Sequence, residues 1–411
     1  MISRRKISVM AFSVSRFLWR LSGRCSPIWG ACLGREVRIS MNKSRIPYMY
    51  SSFLLIFLVH DAQVGVGLPG FQRIVYRDAG HDAWLAVLAA GLVNQLIVWI
   101  MIRTLRKFGD KDLYDIHVMV YGKTIGYAMN LIYIGYFLFA MVIELRNYVE
   151  MIQVWLFPAA PQWVLSLLIG CAVFYGVRGG LRTIVGTSLV FICLTLWLNL
   201  LLYFPLRYSE WTRLLPLMEA DAGQFAKGML SNFFTMTGFE ILYFIYTYAK
   251  DKTKVQLYAQ LGIFSVTIVY TTVMIVSIVF FSGGELLKTN WATFTMLKVI
   301  KFPFLERFEF IGVSLWLMVI LPNLLFFCWA ASRGVKRIFA WQQKYWLYPI
   351  IGVVTVTCSF IDTRLQIEAL NDFFAKGCVY LIYVYPFILY VAAWLYGRKH
   401  KTTLLAGETQ S

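Results

Sequence analysis

Charge is scarce in this chain. Only 15% of its 411 residues are Asp, Glu, Lys or Arg, where a water-soluble domain carries about 25%. With 59% of residues hydrophobic, too little polar surface exists to wrap the apolar mass in water, so lipid must cover part of it. Acid is scarcer still, with 21 Asp and Glu against 39 Lys and Arg and a net charge of +18. The excess base sits in the N-terminal stretch and in short loops between apolar runs. That excludes the basic polar domain of a nucleic-acid binder and fits membrane orientation by the positive-inside rule. Enzyme signatures are also missing: neither a P-loop nor a GxSxG elbow occurs. Cys171, Cys193, Cys328, Cys358 and Cys378 lie in or beside apolar runs without a CxxC pair, and behave there as small hydrophobes. His60, His81, His117 and His400 lack metal-site spacing. No metal, cofactor, nucleic acid or enzymatic activity is therefore expected.

What is present is a succession of long apolar runs. Ten segments are expected, at about Tyr48–Tyr76, His81–Ile102, Thr124–Phe157, Gln162–Tyr175, Thr183–Phe204, Gly223–Tyr248, Val255–Ser282, Arg307–Ala331, Trp341–Phe360 and Phe374–Tyr396. Together they make an all-α membrane domain over residues 47–397, with a short cytoplasmic tail over 398–411. Residues 1–46 are basic, with Glu36 the only acid, and the run Ile7–Val14 is too short to span. Met41 is expected to be the true start, residues 1–40 being an upstream extension; the alternative is a disordered basic cytoplasmic tail. With the N-terminus inside, every inner loop is basic: Arg103, Arg106, Lys107 and Lys111, then Arg178 and Arg182, then Lys250, Lys252 and Lys254, then Arg333, Lys336 and Arg337, and finally Arg398, Lys399 and Lys401. Both termini are then cytoplasmic, and a helix count shifted by one breaks the pattern.

Two segments are interrupted, the first at Gly65-Val66-Gly67 and the sixth near Thr237-Gly238. They lie five segments apart, and an odd offset reverses direction in a membrane, the mark of an inverted five-plus-five repeat. A helix unwound in mid-membrane frees N–H and C=O groups that lipid cannot satisfy. Those groups must face a cavity or a ligand, and a zwitterion offers a charge to each kind. Gly65, Gly67 and Gly238 permit the irregular backbone, Pro69 is expected in the first turn of the resumed helix, and Phe239 can close over a ligand. The competing reading is that small residues merely allow close helix packing.

Ionisable groups within the segments need a reason. Asp61 lies one turn before the first break and can meet an amine or a proton, or line a wet vestibule. Arg146 and Glu150, four apart, are expected to form a structural salt bridge, leaving Glu144 on another face for the cavity. Glu240 can cap freed N–H groups or titrate. Arg307 and Glu309 suit a gate pair or simple snorkelling. Pro322 frees a carbonyl in segment 8, and Asn323 is its candidate for direct ligand contact.

The run Val64-Gly65-Val66-Gly67-Leu68-Pro69-Gly70-Phe71-Gln72-Arg73 resembles the first-helix motif of the spore germination permease family. That family supplies the B subunits of endospore germinant receptors, within the amino acid–polyamine–organocation superfamily of LeuT-like fold. Gly135-Tyr136-Phe137-Leu138 with Glu144-Leu145-Arg146 and Glu150-Met151 is similar to its third helix, Gly238-Phe239-Glu240 to its sixth-helix break, and Arg307-Phe308-Glu309 with Trp316 to its eighth helix. The resemblance covers about Met41 to Lys401. It implies a germinant sensor in the spore inner membrane, acting with a larger A subunit and a lipoprotein C subunit. Its ligand pocket would be lined by Gly65, Val66 and Gly67, Ala140 and Glu144, Thr237, Gly238 and Phe239, and Pro322 and Asn323. The end of segment 6, Tyr246-Thr247-Tyr248-Ala249-Lys250, departs from the Pro and acid expected there. An ion-coupled secondary amino acid transporter is the alternative, since it needs the same pocket.

Overall fold

The computed structural model describes residues 49–301, 307–339 and 341–408; the N-terminal stretch through residue 48, with the expected start at Met41, lies outside the described residues. Among the described residues helix is the repeating backbone structure, because a helix pairs its own N–H and C=O groups and so tolerates apolar surroundings. Among the described residues, six helical stretches are long and apolar enough to cross a membrane, namely Phe71–Phe108, Leu113–Trp155, Leu181–Leu206, Val255–Phe280, Phe308–Phe339 and Arg364–Lys399, with shorter apolar helices at Ser52–Gln63 and Gln162–Arg178.

In chain order the main helices are α1 (Leu55–Gln63), α2 (Phe71–Ala79), α3 (Ala83–Phe108), α4 (Leu113–Trp155), α5 (Gln162–Arg178), α6 (Leu181–Thr195), α7 (Ala222–Phe233), α8 (Val255–Phe280), α9 (Phe308–Phe339), α10 (Gln343–Ser359), α11 (Arg364–Cys378) and α12 (Tyr385–Glu408). Helix α9 packs along α4, α8 along both α3 and α1, and α7 along α2. The first apolar run is therefore two helices. α1 stops at Val64, whose backbone is extended (φ −91°, ψ 108°), and α2 starts at Phe71. Pro69 lies in the turn before α2 rather than in its first turn. The sixth run breaks in the same manner: after α7 a single 3-10 turn, Phe234–Met236, leads to extended Thr237 and to Gly238 at φ +112°, and the chain resumes at Phe239 in short helical turns.

The two broken runs are joined at one end. The Tyr50 N–H donates to the Tyr248 carbonyl and the Lys250 N–H to that of Tyr50, both at 3.1 Å, giving an isolated parallel bridge between Tyr50 and Ala249. The Tyr50 hydroxyl adds a bond to the Ile245 carbonyl at 3.0 Å.

Segment 3 starts eleven residues earlier than Thr124. Asp112 caps α4 by accepting from the Asp115 N–H (3.2 Å), and Gly122 (φ 81°, ψ 174°) sets off the stretch Leu113–Tyr121 as an arm. It lies outside the expected segment 3, yet it is held by partners: Tyr114 donates to the Ala330 carbonyl, and Asn130 bonds both His117 and the Tyr114 carbonyl. Asp112, 1% exposed, also accepts two bonds from Arg333 of α9, at 2.8 and 2.9 Å. Asp112→Asn keeps the cap but removes the charge opposite Arg333, and should cost about 2 kcal/mol, read as a lowered melting temperature of the purified protein. Between segments 7 and 8, outside the expected apolar runs, the chain holds two short helices, Gly283–Lys288 and Ala292–Leu297. Segment 10 likewise begins earlier, at Arg364, under a Thr363–Gln366 capping box.

Candidate functional site

The breaks free main-chain groups, and the structure accounts for most of them with side chains. At the first break, the Val66 N–H donates to Glu144 Oε1 at 3.1 Å. Asn323 Nδ2 donates to the Val64 carbonyl at 3.1 Å, and the Trp316 indole to that of Gly65 at 3.3 Å. The Thr293 N–H donates to the Pro69 carbonyl and its hydroxyl to that of Leu68. At the second break, Gln63 Nε2 donates to the Met236 carbonyl at 2.7 Å, and the Gly238 N–H donates to Glu240 Oε2 at 2.8 Å. Tyr270 ties the breaks together, its hydroxyl lying 2.6 Å from the Thr235 carbonyl and 3.2 Å from that of Gln63. The cradle expected from the sequence is thus partly filled from within: a carboxylate of the protein, Glu144, already occupies the Val66 N–H.

A cavity of about 450 Å³ lies between the breaks. Of the residues expected to bind ligand, Gly65, Val66, Gly67, Ala140, Glu144, Thr237 and Asn323 line it. Gly238, Phe239 and Pro322 do not. Gly238 backs onto the Ala62 carbonyl, and Phe239 is fully buried with its ring edge-on to Tyr383, so it does not close over the cavity. Aromatic walls come instead from Phe234, Phe327, Phe374 and Tyr136, with Phe374 stacked on Tyr136 at 5.3 Å. Ile143, Ala62, Gln63 and Thr235 complete a lining that sequence reasoning missed. Tyr136 and Ile143 carried a signal, since they share the helical face of Ala140 and Glu144; Phe327 stands one turn from Asn323. Phe374, on a different helix, carried none. The Tyr136 hydroxyl also donates to Glu240 Oε1 at 2.6 Å, so Glu240 holds a lining residue and caps Gly238 at once.

A second hollow of about 480 Å³ shares Val66, Gly67, Phe234 and Thr235 with this cavity and continues to Arg73, Arg364, Asn147 and Asn371. Here the structure corrects the expected Arg146–Glu150 bridge. Glu150 pairs with Arg364 at 2.6 Å, while Arg146 Nε donates to the Ile361 carbonyl at 2.7 Å. The two residues share a helical turn, but each is drawn to a better-placed partner around the start of α11. Arg307 and Glu309 do pair, at 3.0 Å, within one turn at the start of α9, so the contact joins no two elements. Asp61 does not line the cavity between the breaks; it faces another hollow on the opposite side of α1.

The family comparison decides what this arrangement belongs to. A family model described as spore germination protein matches residues 50–367, and spore germination protein GerQB of Bacillus cereus is 36% identical over 352 residues, covering 85% of this chain and 97% of that protein. The chain belongs to the spore germination protein family. Another relative of this spore germination protein is spore germination protein B2 of Bacillus subtilis (strain 168), 23% identical over 83% of this chain and 94% of its own. Among solved structures, MhsT in complex with L-phenylalanine superposes with a TM-score of 0.58 at 14% identity, over 85% of this chain and 99% of MhsT. A Na⁺-coupled sialic acid symporter in a substrate-bound outward-open state gives 0.53 at 11% identity, over 86% and 78%. These likenesses show the fold, an all-helical multi-pass membrane architecture of the LeuT type.

Proposed function

We propose that this spore germination protein is the nutrient-sensing B subunit of a germinant receptor, and that it binds a small nutrient, an amino acid, in the cavity between the two breaks. The observation that carries this reading is Glu144. It is a buried carboxylate in the cavity wall with no cationic side chain paired to it among the described residues. A buried charge is costly without a partner, and a ligand ammonium supplies one. As Glu144 turns to the ammonium it releases the Val66 N–H, and the ligand carboxylate takes the amides of the Gly65–Gly67 turn. Ala140, Ile143, Phe327 and Phe374 then favour a small neutral side chain. Ligand binding shifts the conformational equilibrium of a complex with A and C subunits in the spore inner membrane. In this reading the chain spans the membrane about ten times as an inverted five-plus-five repeat. Both termini are cytoplasmic and the hollow at Arg73 and Arg364 is the outer entrance.

A thermal-shift screen of the twenty amino acids on the purified protein tests it. One or a few should raise the melting temperature, and Gly65→Val should abolish that response, because a Cβ at Gly65 stands 2.5 Å from Glu144 Oε1 and 3.2 Å from Asn323 Nδ2. An undiminished response in the variant defeats the reading. Ion-coupled transport is the second reading, favoured by the likeness to a Na⁺-coupled symporter. Uptake of the labelled amino acid into proteoliposomes holding this chain alone would establish it; the sensor reading expects none.

A further inference from the structure

The larger hollow lies behind the first break. It measures about 710 Å³, and none of its lining residues lines the cavity between the breaks. α1, α8, α9 and the 3-10 continuation of α6 (Leu196–Leu202) wall it. The composition is that of a small-molecule site, mostly aliphatic with few polar groups. Val64, Leu68, Ile192, Val273 and Leu297 supply the apolar surface.

Asp61 is the exception. It is 3% exposed, and its one side-chain partner among the described residues is the Ser188 hydroxyl, at 2.5 Å. A carboxylate has about four acceptor positions, so one hydroxyl leaves most of them unused. Among the described residues no lysine or arginine lines the hollow, and neighbouring His60 is engaged through Nδ1 with Ser265 at 2.7 Å. A buried carboxyl group in the wall of a largely apolar chamber has a matching ligand chemistry, a cationic head on an apolar body, whose charge would hold the group ionised.

We propose that this hollow is a second binding site, for an organic amine of small amphiphilic type, with Asp61 as the counter-ion of its ammonium. An inorganic cation would need several oxygen ligands; besides Asp61 the described lining offers the side-chain oxygens of Thr195, Asn199 and Thr293, and both threonine hydroxyls are already bonded to carbonyls, those of Phe191 and Leu68. The way in is through α6. Its continuation leaves α-helical geometry for seven residues at Leu196–Leu202, and Leu196 and Leu200 on it are 50% and 75% exposed, so one irregular helix separates the chamber from lipid. An occupant would touch the break from behind. Trp316, which lines the chamber, holds the Gly65 carbonyl, and Val64 and Leu68 flank the unwound turn. An amine bound there therefore alters ligand affinity in the cavity between the breaks. The site itself stands whatever that other cavity binds.

The test uses the purified full-length protein with hexylamine and 1-hexanol as matched probes. Hexylamine should raise the melting temperature saturably and at lower concentration than 1-hexanol. Asp61→Asn should weaken the apparent affinity for hexylamine about tenfold or more and leave that for 1-hexanol unchanged. Val273→Trp, which fills the chamber, should remove both responses, whereas Glu144→Gln should leave both intact. The proposal is overturned if the wild-type protein answers both probes alike or neither. A hexylamine response that survives Asp61→Asn, or is lost in Glu144→Gln, overturns it too. So does an Asp61-dependent response to Na⁺ without one to hexylamine. Should Val273→Trp fail to fold, the amine–alcohol comparison on the wild type and on Asp61→Asn decides.

Discussion

Glu144→Gln is expected to weaken binding of the amino acid in the cavity between the breaks by two to three orders of magnitude, about 3–4 kcal/mol. The amide has nearly the shape of the carboxylate, and its oxygen can still accept from the Val66 N–H, which Glu144 Oε1 now does at 3.1 Å. The unwound turn is therefore kept, and the melting temperature without ligand should change little. What is lost is the negative charge. A ligand ammonium then has to be buried against a neutral group, and that penalty falls on the bound state alone. Glu144→Asp keeps the charge but withdraws it by one methylene, and should fall between the two. Titration calorimetry with the amino acid found in the thermal screen reads all three affinities. An unchanged affinity in Glu144→Gln would mean that the ammonium sits elsewhere.

Gly238→Ala should sharply lower the yield and melting temperature of the folded protein. The backbone there has φ +112°, a region that costs a side-chain-bearing residue about 1–3 kcal/mol, and a Cβ would stand 1.7 Å from the Ala62 carbonyl oxygen. That neighbour is backbone and cannot rotate aside, so the two broken helices must separate, adding about as much again. A total of about 4 kcal/mol is a large share of the 5–15 kcal/mol that typically holds a protein folded. Yield of monodisperse protein and its melting temperature are the readouts. Gly135→Ala is the control: a Cβ there meets nothing within 4 Å, and in mid-α4 the change should be neutral or stabilise by up to about 1 kcal/mol. If both variants behave alike, the close crossing of the breaks is not what the glycine serves.

Much of this arrangement is legible in the residues because it is periodic or punctuated. The apolar runs are long, and glycine interrupts two of them where the helices stop, at Val64 and at Thr237. Ala140 and Glu144 face the cavity together because they are one helical turn apart. What escapes the sequence is which way an unwound chain turns its neighbours. Asp61 precedes Gly65 by four residues yet faces the opposite side of α1. Arg146 and Glu150 have the spacing of an ion pair, but a partner from a helix more than 200 residues later takes Glu150. Leu113–Tyr121 and Arg364–Asn371 lie outside the apolar runs expected for segments 3 and 10; several of their polar side chains bond tertiary partners, such as Asn371 with Asn147, that no local pattern encodes.

The bridge between Tyr50 and Ala249 has a mechanical meaning. Two segments far apart in the chain are laced together strand-fashion at the base of both interrupted helices, so neither base can swing without towing the other. They form a single lever with two arms, and its compliant joints are the glycine turns at Gly65–Gly70 and Gly238. Whatever settles between those joints therefore acts on both arms together.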